Sequence, residues 1–146
     1  MNTINKRITN HNILNNFNYF PGEVYSEVRE FDFNKPVSIQ TRNALDEDFL
    51  FVFYPNNICL EVGWLHSGNF RKGKFVISIV IRNEDFEEFY FYYNVTRKKN
   101  ELIKFVFEAH DVAIKLLNKI KSNRKDFIKC CISAEKIDEI FFSIPN

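Results

Sequence analysis

The chain of 146 residues is short of several things at once. It holds four glycines, four prolines, three cysteines, one methionine and one tryptophan. So little Gly and Pro excludes a collagen-like repeat or a flexible linker protein. Three cysteines, Cys59, Cys130 and the adjacent Cys131, make a poor disulfide framework and read as reduced thiols of a cytoplasmic protein. Charge of one sign is also lacking, since 20 basic residues face 19 acidic ones. A dedicated duplex-DNA binder would show a basic excess. The longest apolar runs, Phe49 to Tyr54 and Phe75 to Ile81, are strand-length and too short to span a bilayer. Met1 to Asn10 carries no apolar leader, so no secretory signal is expected there.

What is abundant is aromatic: 17 Phe and 6 Tyr in a chain that is 45% hydrophobic. Such a chain is not disordered, and its length suits one domain that folds without a staple. Residues 1–22 are polar and Asn-rich, an arm or short helix ended by Pro21-Gly22. From residue 23 to 95 the apolar period is two. Val37 and Ile39 alternate with Ser38 and Gln40, followed by Phe49 to Tyr54. Pro55-Asn56-Asn57 is a hairpin turn, because Asn tolerates positive φ. Ile58 to Leu65, Phe75 to Arg82 and Phe86 to Val95 complete an antiparallel meander.

The period then becomes 3.6. Leu102, Phe105, Val106, Ala109, Val112, Ala113, Leu116 and Ile120 form one stripe. The spacing predicts a helix over 98–121, about 36 Å long, with Thr96 or Asn100 as its cap. Within 127–146, Phe127 to Ser133 reads as a last strand and Ser133 as the cap of a short helix through Phe142. The expected fold is therefore α+β: a curved antiparallel meander of five or six strands, packed on one long helix in the C-terminal half. Phe51, Leu60, Val62, Trp64, Ile77, Ile79, Phe89 and Phe91 are expected to face that helix. Ser38, Gln40, Glu61, Ser78, Arg82, Glu88, Tyr90 and Tyr92 are expected on the opposite face, either open to a partner or covered by residues 1–22.

Motifs for catalysis are sparse. Gly68-Asn-Phe-Arg-Lys-Gly73-Lys74 matches G-x-x-x-x-G-K, but Phe75 stands where a P-loop needs Ser or Thr, and a strand follows instead of a helix. It reads as a basic hairpin turn. His11, His66 and His110 have no second ligand at metal spacing, so no metal and no cofactor is expected. No nucleophile elbow exists, although Cys59 and His66 could converge in space. Acidic residues cluster at Glu23/Glu27/Glu30, at Asp46-Glu47-Asp48 and at Glu84, Asp85, Glu87 and Glu88. Basic residues gather at Arg71/Lys72/Lys74, Arg97 to Lys99 and Lys119 to Lys125.

The size, the Asn/Ile/Phe/Lys richness, the meander-plus-helix pattern and the segment Leu60-Glu-Val-Gly-Trp64 together resemble the small immunity proteins of bacterial contact-dependent and polymorphic toxin systems. That resemblance implies a cytoplasmic, non-enzymatic inhibitor that binds one cognate toxin domain, often a nuclease. The partner-binding residues expected for it are Glu84, Asp85, Glu87 and Glu88, beside Tyr90, Tyr92, Arg82 and Glu61. Two rivals stand beside it: a small-ligand or enzymatic domain with a pocket between sheet and helix, and an RNA-binding module using the basic turns with nearby aromatics.

Overall fold

The computed structural model describes residues 13–122 and 131–144. Five strands form one antiparallel sheet in chain order. They are β1 (Glu23–Ser26), β2 (Leu50–Tyr54), β3 (Ile58–Leu65), β4 (Lys74–Arg82) and β5 (Glu88–Thr96). Helix α1 (Lys99–Ser122) lies on the sheet and a short helix, α2 (Ala134–Phe142), follows. The α+β meander with one long helix is thus as expected.

Turn chemistry explains the order. Asn56 and Asn57 both take positive φ (64° and 61°), which closes the β2–β3 hairpin. The Asn69 side chain accepts the Arg71 N–H and starts a 3-10 turn that leads into β4. Thr96 accepts the Lys98 N–H and donates to Glu101, fixing the entry to α1. Ser133 accepts the Lys136 N–H and caps α2, as the sequence predicts.

Alternation divides the sheet into two faces. Inward lie Leu50, Val52 and Tyr54 of β2, Ile58, Leu60, Val62 and Trp64 of β3, and Phe75, Ile77, Ile79 and Ile81 of β4. They pack with Leu102, Val106, Ala109 and Ala113 of α1, all fully buried. One end of this core is aromatic: Phe31, Phe49, Trp64 and Phe75 meet edge to face at 4.9–5.7 Å. The space between helix and sheet, where a ligand pocket was conceivable, is filled by these side chains.

Four expectations need correction. Val37–Ile39 is a 3-10 turn and not a strand. The Gln40 amide is buried and bonds the backbone of Asp32, Lys35 and Pro36, so neither it nor Ser38 lies on the sheet. Phe51 pairs with Glu61 and faces away from α1, because Leu50, Val52 and Tyr54 take the inward positions. Tyr92 turns inward: the β4–β5 register shifts between Ile79 and Val80, so Tyr92 stands opposite Ile79 while Tyr90 stands opposite Val80. Its hydroxyl donates to Glu108 of α1. Of the expected last strand only the end is described, and there Ile132 makes a single bridge to Tyr90. The rest of that strand, Cys130, His11 and the basic residues from 123 to 125 lie outside the described residues.

Of the expected arm 1–22, residues 1–12 lie outside the described residues. Residues 13–22 pack on the helix side, not across the outer face. Phe17 stacks on Phe107 at 4.5 Å and meets His110 at 5.1 Å. Leu14 is fully buried, and Asn15 exchanges two hydrogen bonds with the Val28 backbone.

Candidate functional site

The outer face of the sheet is built in rows. Phe51, Glu61, Ser78 and Tyr93 stand side by side across β2 to β5, and Phe53, Cys59, Val80 and Tyr90 form the next row. One edge of this face is roofed by backbone. Trp64 N–H donates to the Asp46 carbonyl at 2.8 Å, which carries the 46–48 loop over β3. That crossing needs a glycine below it, since a Cβ on Gly63 would collide with the Glu47 carbonyl. The acidic cluster Asp46-Glu47-Asp48 is therefore a wall of the outer face.

Between this wall and the tyrosines of β5 lies a groove of about 410 Å³. Its floor is Glu61, Ser78 and Arg82, and its far side is Tyr90 and Tyr93. Arg82 donates to Glu61 at 2.6 Å and reaches Glu88 at 3.4 Å. Tyr90 donates to the other Glu88 oxygen at 2.6 Å. Burial pushes the Glu61 carboxyl above its ordinary value, and Arg82 only partly offsets this. Burial also raises the Cys59 thiol, with the Glu61 charge adding to it, so Cys59 is a poor nucleophile. Tyr90 is held in its protonated form by burial and by the Glu88 carboxylate.

At Phe51 and Asp48 this groove joins a second, of about 760 Å³, bounded by Tyr25, Ser26, Arg29 and Phe53. Here three rings form an exposed cluster. Phe51 and Phe53 lie 4.7 Å apart, and Tyr25 meets them edge-on at 6.2 and 5.5 Å. Tyr25 is 79% exposed and Phe53 44%. Contiguous apolar surface of this kind on a folded domain marks interaction sites.

The expected partner-binding residues separate into two groups. Glu61, Arg82, Glu88 and Tyr90 come together in the network above. Glu84, Asp85 and Glu87 sit on the exposed β4–β5 turn, where Asn83 accepts the Asp85 and Glu87 N–H groups and donates to the Glu87 carboxylate. Tyr92 belongs to neither, and Tyr93 takes its place 5.9 Å from Tyr90. Reading the sequence missed Tyr25, Phe53 and the outward position of Phe51. Every residue from Phe49 to Tyr54 is apolar or aromatic, so alternation gives no sign of which side is out.

His66 is exposed on the turn before β4, so it does not converge with Cys59 of the outer rows. Among the described residues no three His, Cys, Asp or Glu groups gather as a metal site, and Cys59 is a free thiol. Two basic clusters are partly spent on the fold. Arg71 donates to the Ser38 and Gln40 carbonyls, and Lys99 to that of Lys35. No described helix is long and apolar enough to cross a membrane. No protein-family model, curated protein or solved structure matches the chain.

Proposed function

We propose that this chain is a non-enzymatic, protein-binding inhibitor: an immunity protein that neutralises a cognate bacterial toxin domain in the cytoplasm. It engages that domain through the outer face of the sheet. One observation carries the reading. The ring cluster Tyr25–Phe51–Phe53 is exposed and runs into an acidic groove whose charges are already fixed in place by one another. Aromatic anchors beside oriented charges are what protein recognition uses, and a preformed surface loses little entropy on binding. Glu47 and Asp48 on the wall, with Glu84, Asp85 and Glu87 on the turn, suit a basic partner such as a nuclease, and like-signed clusters accelerate capture.

The reading is tested with the domain encoded beside the gene for this chain. That domain, produced in a host, should arrest growth, and the chain should relieve the arrest and form a one-to-one complex. Reversing Glu87 and Glu88 to Lys should slow association by about tenfold at low salt, with a smaller effect at high salt. Unchanged association would remove the acidic turn from the interface. Growth relief without complex formation, or turnover of the toxin or of a metabolite, would overturn the inhibitor reading.

A further inference from the structure

A third groove, of about 480 Å³, lies at the start of β4 and is separate from the aromatic cluster. Its polar lining is His66, Ser67, Lys72 and Lys74, and Leu65 and Phe142 supply apolar wall. The segment Gly68 to Lys74 builds it. Gly68 takes a positive φ of 84°, the Asn69-capped turn follows, and Lys72 and Lys74 are delivered to one place.

Lys74 is unusual for a lysine, being only 4% exposed. Its ammonium donates to the Phe141 carbonyl at 3.0 Å and the Ile144 carbonyl at 2.8 Å, and lies 4.8 Å from the Phe141 ring. The Phe141 carbonyl belongs to the negative pole of α2, which offsets part of the charge, and the Ile144 carbonyl follows just beyond the helix end. Among the described residues no carboxylate pairs with Lys74. An ammonium carries three donors, and two of them go to these carbonyls. A buried cation, a second cation at Lys72 and, among the described residues, no acid in the lining favour an anion. Leu65 and Phe142, the latter 76% exposed, offer that anion's body an apolar contact.

We propose that this groove binds an amphiphilic organic anion, a carboxylate or phosphate monoester carried on an aromatic or short alkyl body. Lys72 and Lys74 hold the anionic group, and Leu65 and Phe142 hold the body. The site does not depend on the toxin-binding reading and stands or falls separately from it.

The test is a titration of the full chain, followed by amide NMR, with phenyl phosphate, benzoate, inorganic phosphate and benzyl alcohol. Phenyl phosphate or benzoate should give saturable shifts at Ser67, Lys72 and Phe142. The better of the two should bind at least about tenfold more tightly than inorganic phosphate. The order of the two says whether a phosphate or a carboxylate fits. Benzyl alcohol should give no saturable shift. Lys72→Glu, at an exposed position, should weaken binding by about fivefold, and Phe142→Ser by about threefold. Three results would overturn the proposal: shifts that never saturate, equal affinity for inorganic phosphate and phenyl phosphate, or an affinity that Lys72→Glu leaves unchanged.

Discussion

On the inner face of the sheet Phe31, Phe49 and Phe75 are buried to 2% exposure or less, while on the outer face Phe53 is 44% and Tyr25 79% exposed. The same side-chain chemistry serves two purposes within one strand: Leu50, Val52 and Tyr54 of β2 close the core, and Phe51 and Phe53 between them face out. The polar groups differ in the same way. On the inner side they end on helix α1, as Tyr54 does on His110 at 2.7 Å and Tyr92 on Glu108 at 2.9 Å. On the outer side Arg82, Glu61, Glu88 and Tyr90 bond one another at the floor and side of an open groove. Cohesion is concentrated on the helix side, which leaves the outer side free to serve the proposed partner.

Substitutions sharpen that contrast. The largest effect belongs inside: Trp64→Ala removes a buried ring that packs on Phe75 and donates to the Phe70 carbonyl, and should cost about 3–5 kcal/mol in urea unfolding. Gly63→Ala comes next. Its methyl group meets the Glu47 backbone, so stability should fall by about 1–3 kcal/mol and the 46–48 loop should leave the groove. A stability loss of Trp64→Ala no larger than that of an outer-face change would break the division.

Acidity should act with opposite sign on the two faces. Burial holds His110 below its ordinary value of 6.5, with Asp111 partly offsetting this. Neutral His110 therefore favours the fold; its contribution is complete above pH 6.5 and is lost as pH falls through the folded value. Glu61 runs the other way. Its raised value favours the fold when protonated, so that contribution is complete below 4.5 and is lost as pH rises through the folded value. Melting temperatures measured across this range should show less acid-side loss in His110→Gln and less loss on raising the pH in Glu61→Gln. The smallest stability effect is expected for Tyr25→Ser combined with Phe53→Ser, within about 0.5 kcal/mol per site, because neither ring is buried.

Much of the architecture was legible in the residues. The helix stripe, the Asn56-Asn57 turn and the Ser133 cap each rest on local chemistry, and each stands where that chemistry puts it. What could not be read depends on long-range choices. A run such as Phe89-Tyr-Phe-Tyr-Tyr93 looks the same with or without a bulge, yet the register shift exchanges Tyr92 for Tyr93 on the outer face. The Val37–Ile39 alternation yields to Gln40, whose buried amide ties that segment into a turn. The acidic half of the candidate site, Glu61, Arg82, Glu88 and Tyr90, was found because charges in strands stand out from apolar neighbours. The aromatic half was hidden because Phe on the surface and Phe in the core are the same letter.

The most direct measurement is aromatic and side-chain NMR of the chain as the domain encoded beside its gene, the toxin of the proposed reading, is added. Shifts confined to Tyr25, Phe51, Phe53, Tyr90 and Tyr93, with Trp64, Phe31 and Phe75 unmoved, are the predicted result. Shifts gathered instead on the exposed side of α1, around Lys104, Asp111 and Lys115, would contradict the assignment of the outer face as the binding surface.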